Sequence, residues 1–230
     1  MLKVGKRQKT KLKATLFDMD EHLLRFDKKS KIVFYDTETQ NLCLNECSNL
    51  PWQVGYVVIQ GDKILEQENM FVKWPTPLKV SEAAARITHY DENIVQKNGI
   101  PPIEVFNKID KVFKDADYIM GHNILGFDTY VINSFRRTLG KPTAFFLDKT
   151  IDTFALAKAI RLGIIKRPEY GLADFQYKVL SKKAAKTKCS LTDLGKEHQI
   201  EHDYANLHDA LCDIELNIKV WHKLKWMVEI

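Results

Sequence analysis

The chain has 230 residues, of which 45% are hydrophobic, and this length is enough to bury one sizeable core. No apolar run approaches the roughly 18 residues that a membrane helix needs, and the N-terminus lacks the apolar segment of a signal peptide, so we expect a soluble cytoplasmic protein. The formal net charge of +5 is too small to indicate a nucleic-acid partner by itself.

The positive charge is concentrated in two segments. A basic N-terminal arm, predicted to span residues 1–30, begins with a run of cations that contains no acid, namely Lys3, Lys6, Arg7, Lys9, Lys11 and Lys13. A second basic stretch runs from Lys178 to Lys188. Such clusters neutralise backbone phosphates, but they are equally typical of solvated tails and loops, so charge alone leaves both interpretations open.

A single folded domain is predicted for residues 31–230. Its first segment, KIVFYDTET from Lys31, is a β-branched and aromatic run typical of a buried strand. The next two segments, PWQVGYVVIQ and KILEQENMFVK, flank Gly61 and Asp62 and predict a β-hairpin with a tight turn. Helical patterns follow in SEAAARI and from Pro102 to Lys114, which carries one apolar stripe.

Strands and helices alternate through the rest of the chain. DYIMGHN predicts a fourth strand, LGFDTYVINSFRRTL a helix ended by Gly140, and AFFLDKTID a fifth strand that leads into another helix. LTDLGKEHQI and the segment from Leu207 to Trp226 both have a helical period. This alternation indicates an α/β fold.

Two carboxylates end the first predicted strand. Asp36 and Glu38 are two residues apart, so their side chains project from the same face of the strand. Carboxylates held this close repel each other unless a cation lies between them, and a hard divalent ion prefers oxygen ligands. The pair therefore favours a metal site, although a solvated strand end would carry the same residues.

Asp128 is the third candidate acid. It lies in the predicted helix after the fourth strand, beside Ile124 and Val131 of the apolar stripe. A carboxylate on the inward face of a helix is costly unless it is paired or binds a metal. A buried, hydrogen-bonded Asp near a helix N-terminus is the other interpretation.

The last predicted helix supplies His208, Asp209 and Asp213. Asp209 and Asp213 are four residues apart on one helical face, so spacing alone makes them equally good ligands. His208 and Asp213 are five apart, which places them on different faces of a regular helix. We therefore expect His208 at the helix start or in the loop before it.

The three motifs together resemble the DnaQ-like (DEDDh) family of 3'-5' exonucleases. That family carries D-x-E in its first strand, an Asp in the context G-H-N-x-x-x-F-D, and H-x4-D near the end. Here the motifs are FYDTET, GHNILGFD and HDALCD, in the same order, and the resemblance runs from about Lys31 to the C-terminus. Gln40 and Asn41 stand where the family commonly has Thr-Gly, so the loop at the terminal nucleotide is expected to differ.

The resemblance implies a ribonuclease H-like fold: a mixed five-stranded sheet with one antiparallel strand, flanked by helices. It implies that Asp36, Glu38, Asp128 and Asp213 bind two Mg²⁺ or Mn²⁺ ions and that His208 is the general base that deprotonates the attacking water. It also selects Asp213 over Asp209. The side chains expected to contact substrate are Thr37, Thr39, His122, Asn123 and Phe127, with core packing the favoured role of Phe127.

The implied activity is removal of nucleoside 5'-monophosphates from nucleic acid 3' ends, with single-stranded DNA as the expected substrate. Degradation of short RNA is the alternative within the same chemistry. A catalytically silent nucleic-acid-binding module is the alternative of another class, but it would have no need of the complete ligand set. A DNA polymerase or replication factor is a candidate partner, although no partner-binding tail is evident.

Overall fold

The computed structural model describes residues 24–44, 49–183 and 187–228. The basic run from Lys3 to Lys13 and one lysine of the second basic stretch, Lys186, lie outside the described residues. Leu24, which the sequence assigns to the N-terminal arm, is buried in the core. Within the described residues, no helix combines the length and the apolarity needed to cross a bilayer.

A mixed five-stranded sheet forms the centre of the molecule. Its strands are β1 (Lys31–Thr39), β2 (Pro51–Gln60), β3 (Lys63–Phe71), β4 (Tyr118–Gly121) and β5 (Thr150–Asp152), arranged in the order β3-β2-β1-β4-β5. β2 is antiparallel to both of its neighbours, whereas β1 is parallel to β4 and β4 to β5. The predicted α/β fold with one antiparallel strand is confirmed.

Helices cover the sheet. In chain order they are α1 (Glu82–Thr88), α2 (Glu92–Asn98), α3 (Pro102–Asp115), α4 (Asp128–Thr138), α5 (Thr153–Leu162), α6 (Leu172–Leu180), α7 (Leu191–Glu197) and α8 (Ala210–Leu224), with a 3-10 turn at Leu147–Lys149. The side chains of β1 enter the core on both faces of the sheet, because successive side chains of a strand point in opposite directions. Val33 and Tyr35 pack with α3 and α4, while Ile32 and Phe34 pack with α5, α6 and α8.

The fifth predicted strand is shorter than AFFLDKTID suggests. Phe146 adopts a left-handed backbone conformation (φ 50°), and the 3-10 turn follows it, so only Thr150–Asp152 pairs with β4. The Asn133 side chain satisfies the backbone N–H and carbonyl of Ala144, groups that would otherwise need a strand partner. The Asn133 side chain therefore makes the hydrogen bonds that a neighbouring strand would otherwise make with this segment.

The predicted helix that carries Asp128 begins later than expected. Residues 122–127 form turns, and α4 starts at Asp128 itself. The cause lies on β5, where the Asp152 carboxylate accepts the N–H groups of Asn123 and Leu125, both at 2.9 Å. Because these donors bind a side chain and Asn123 is left-handed (φ 63°), the chain turns before it becomes helical. Asp128 therefore occupies the first helical position.

The first turn of α8 packs directly on the backbone of β2. Gly55 of β2 pairs with Asp36 across the ladder, and a Cβ atom at this position would lie 2.9 Å from the Cβ of Ala210. Such a distance is a clash, so only glycine permits the first turn of α8 to cross β2 here. The contact brings Asp213 over the end of β1.

Candidate active site

Asp36 and Glu38 belong to the face of β1 that packs against α8, because they share the alternation of Ile32 and Phe34. Glu38 is buried and Asp36 is partly buried. The ladder with β2 shifts register immediately after Glu38, which marks a bulge. The two carboxylates thus lie together where β1 ends, as their spacing predicts.

Glu38, His208 and Asp213 form a compact group. One potential ligand atom from each lies within 4.8 Å of the others. His208 is exposed, precedes α8 and has a left-handed backbone (φ 72°), which turns its N–H toward the Asp213 carboxylate, 3.2 Å away. The loop position expected for His208 is therefore the observed one, and the loop is tied to the helix by this hydrogen bond.

Asp128 approaches β1 from the other side. Its Oδ1 atom accepts hydrogen bonds from the backbone N–H of Thr37 at 3.1 Å and from the Thr37 hydroxyl at 2.5 Å. Thr37 lies between Asp36 and Glu38, so its side chain points to the α4 face and holds the third acid beside the pair. A hydroxyl engaged in this way positions a carboxylate, and the substrate contact of Thr37 stays a prediction.

Burial and mutual repulsion raise the pKa values of these acids. For Asp36 the largest cause is burial, followed by the negative charges of Asp128 and Glu38. For Glu38 it is burial, followed by the charge of Asp213. Burial also raises the pKa of Asp128 to about 7, although the Thr37 hydroxyl opposes the change. The principal charges acting on this site are negative, so a hard divalent cation fits the donor set.

Asp209 and Asp213 are distinguished by their partners. Asp209 is the N-cap of α8, and its carboxylate accepts the N–H groups of Leu211 and Cys212. It also accepts hydrogen bonds from Gln53 at 2.7 Å and Asn69 at 3.1 Å, which anchor the helix start to β2 and β3. With these four donors Asp209 is a structural cap, whereas Asp213 faces the other acids.

Of the other predicted substrate residues, His122 lines the cavity of about 210 Å³ that also contains Asp36, His208 and Asp213. Its Nδ1 atom lies 3.0 Å from the Thr153 hydroxyl, and burial lowers its pKa to about 4. Of the remaining three predicted substrate residues, two form hydrogen bonds within the protein and one lies beside a helix start. Thr39 donates to the Asn41 carbonyl, Asn123 donates its N–H to Asp152, and half-buried Phe127 immediately precedes α4.

Asp152 is a residue that the motifs do not reveal. It is fully buried, caps α5 through the N–H groups of Phe154 and Ala155, and holds the turn that leads to Asp128. Its backbone N–H is in turn bound by the Gln176 side chain at 2.6 Å. An Asp between a strand and a helix is a recognisable N-cap signal, but its second role, across 27 residues, is visible only in the fold.

Residues 33–221 match the family model RNase_T, described as exonuclease, and this range contains every motif discussed above. The chain belongs to the DnaQ-like exonuclease family. This is the family that the sequence motifs predict. No protein with curated annotation matches this chain significantly.

Solved structures of E. coli Exonuclease I share the fold. The complex with a dT13 oligonucleotide matches with a TM-score of 0.66 at 21% identity, over 86% of this chain and 42% of that chain. The zinc-ion-bound ExoI–ssDNA complex gives the same TM-score and identity, over 86% and 41%. The SSB/Exonuclease I structure with the inhibitor CFAM gives 0.62 at 20%, over 84% and 40%.

This chain therefore spans less than half the length of the structures that it resembles. At such low identity the likeness establishes the fold alone. Nothing in these comparisons supports the polymerase partner considered from the sequence.

Proposed function

We propose that this chain is a 3'-5' exonuclease that removes nucleoside 5'-monophosphates from single-stranded DNA by two-metal-ion hydrolysis. The observation that carries the proposal is the grouping of Glu38, His208 and Asp213 within 4.8 Å, beside Asp36 and Asp128. These five residues come from three separate elements and are the ones that the family motifs select. The dT13 and dA16 oligonucleotides bound to Exonuclease I support single-stranded DNA as the substrate.

In this proposal Asp36, Glu38, Asp128 and Asp213 hold the divalent ions, Mg²⁺ or Mn²⁺. When bound, the ions neutralise the charge that develops on the phosphate and lower the pKa of a bound water. The chain supplies the rest of the mechanism. Thr37 fixes the orientation of Asp128, and the His208–Asp213 hydrogen bond fixes the loop from which His208 accepts the proton of the attacking water.

The direct test uses matched DNA and RNA oligonucleotides labelled at either end. With a 5' label, a 3'-5' exonuclease produces a ladder of products that shorten gradually; with a 3' label, it releases labelled mononucleotide in the first turnover. We expect this pattern with single-stranded DNA and Mg²⁺ or Mn²⁺. Faster shortening of the RNA would identify the exoribonuclease alternative. Internal cleavage, or binding without cleavage, would refute the proposal.

Replacing His208, the proposed general base, should lower kcat without changing the affinity for metal ions. We expect His208→Ala to lower kcat on the order of 100-fold to 10,000-fold, because general-base catalysis contributes about that much. Mn²⁺ affinity, measured by titration calorimetry, should be unchanged. His208→Asn provides a matched variant, because Asn tolerates the left-handed backbone of this position better than Ala.

A loss of Mn²⁺ affinity in both variants would show that His208 binds metal, which its distance from Glu38 and Asp213 also permits. Normal turnover would place the base elsewhere. His122 and His202 would then be tested next, and both are engaged in other contacts: His122 with Thr153 and His202 with the Cys212 thiol, 3.2 Å away.

A further inference from the structure

A row of aromatic side chains crosses the surface from α4 to α6. The rings of Tyr130 and Phe145 meet edge to face, with their centroids 6.1 Å apart, and the two side chains are 41% and 39% exposed. Tyr177 of α6 lies near Tyr130, which contributes to its raised pKa, and it extends the row to the second helix. Large aromatic surfaces are costly to leave in water, so two exposed rings in contact, beside the half-buried Tyr177, indicate a binding surface.

Exposed lysines lie beyond the aromatic row, along α6 and after its end. Lys178 follows Tyr177 directly, and its ammonium lies 4.2 Å from the centroid of the Tyr170 ring and 3.1 Å from the Tyr170 hydroxyl. Beyond the end of α6, three exposed lysines form no ion pair within the described part of the chain: Lys182, Lys183 and Lys188. Two acids lie nearby, Glu169 and Asp174, and Glu169 is 3.9 Å from Arg167, so the surface stays cationic.

We call this surface the tyrosine–lysine face; it consists of Tyr130, Phe145, Tyr170, Tyr177, Lys178 and the three lysines after α6. Tyr130 lies in the first turn of α4, two residues after Asp128, and its exposed side chain points away from that buried carboxylate toward solvent. α6 lies close to the site, because its Gln176 side chain accepts the backbone N–H of Asp152, whose carboxylate holds the turn that leads to Asp128. Burial raises the pKa of Tyr177 to about 12, so its phenol stays neutral.

We propose that the tyrosine–lysine face binds the single-stranded segment of the substrate that lies on the 5' side of the nucleotide being removed. Unpaired bases would stack on the exposed rings, and the lysines would neutralise successive phosphates. Both contacts require a strand whose base faces are free, which a duplex does not offer. This inference rests on the proposed function for the position of the 3' end.

A solvated surface would explain lysines alone, but it would not explain why exposed aromatic rings accompany them. The Lys178–Tyr170 contact also holds the ammonium in one place, which lowers the entropy lost when it meets a phosphate. An ammonium over a ring retains donors for a further acceptor. The face therefore has the two components, cations and ring faces, that non-specific single-strand binding uses.

The test measures binding of 5'-fluorescein-labelled dT20 by anisotropy, in EDTA, over a range of salt concentrations. The variant Lys178→Gln/Lys182→Gln/Lys183→Gln should bind at least about 10-fold more weakly at low salt, and the slope of log K against log salt should fall by about 2, because each phosphate contact contributes about 0.7. Tyr130→Ala/Phe145→Ala should bind about 5-fold to 100-fold more weakly with an unchanged slope, because it removes stacking and no charge.

The control is Lys97→Gln/Lys111→Gln/Lys223→Gln, which removes the same charge from three exposed lysines of other helices. We expect it to retain most of the affinity and slope. If the control weakened binding equally, the lysines of the face would act only by long-range electrostatic attraction, which would overturn their assigned phosphate contacts. Unchanged binding in both face variants would overturn the whole proposal. Cleavage of dT4 with Mg²⁺ should be normal in this control variant. Because binding is measured without metal, loss of dT20 affinity in a protein that cuts nothing would support the face and refute only the proposed function.

Discussion

Asp213→Asn is expected to lower kcat by at least about 1,000-fold without loss of fold. Asn preserves the shape of the side chain but removes a charge that the metal ions need. Burial already raises the pKa of Asp213, and it stands among other acids, so removing its charge should relieve repulsion. We therefore expect the metal-free variant to melt at the same temperature as the wild type or above it. The measurements are cleavage of end-labelled DNA and thermal unfolding in EDTA.

Asp209→Asn is the matched control, four residues away on the same helix. Asn still accepts hydrogen bonds from the helix start, but its amide nitrogen cannot accept those of Gln53 and Asn69. We therefore expect the free energy of unfolding to fall by about 1 to 3 kcal/mol. We expect kcat to stay within about 10-fold of the wild type. A dead Asp209→Asn protein beside an active Asp213→Asn protein would show that the H-x4-D motif is misaligned with the structure.

Removing divalent metal is expected to abolish activity and leave the fold intact. Excess EDTA should reduce cleavage to background, and adding Mg²⁺ or Mn²⁺ should restore it, because the carboxylates of the empty site repel each other and the phosphate. The three apolar clusters of the core do not include these acids, so the far-ultraviolet circular dichroism should not change. Full activity in excess EDTA would refute the metal mechanism.

The same acids make the stability of the metal-free protein depend on pH in a definite direction. The pKa of Asp128 is about 7 in the folded state, against about 3.9 for an Asp in an unfolded chain, so the folded state holds a proton that the unfolded chain releases. Its contribution to stability is therefore present below about pH 4 and is lost as the pH rises to about 7. We expect Mg²⁺ to raise the melting temperature more at pH 8 than at pH 5.

Asp128→Asn is the control for this pH effect. His122 has its pKa lowered to about 4, which gives stability the opposite pH dependence between about pH 4 and 6.5, and the variant retains this contribution. The difference between wild type and variant in EDTA therefore isolates Asp128. A wild-type melting temperature that rises from pH 5 to pH 8 relative to Asp128→Asn would contradict the expected direction.

The sequence determined the fold class and the face of β1 on which Asp36 and Glu38 lie. Strand alternation alone places Asp36 and Glu38 on one face, and the structure shows both on the α8 side of β1. The hairpin of β2 and β3 also follows from local pattern and turn residues. These features depend on backbone geometry over a few residues, so a single sequence contains them.

The tertiary structure decided those features that depend on contacts between residues far apart in the sequence. Asp209 and Asp213 are equivalent by helical spacing, and only the contacts of Asp209 with Gln53 and Asn69 make it the cap. Thr37 proved to orient Asp128, and the start of α4 is set by the Asp152 carboxylate from β5. These assignments could not be read from local spacing, because each depends on hydrogen bonds between residues that are brought together only when the sheet and helices pack.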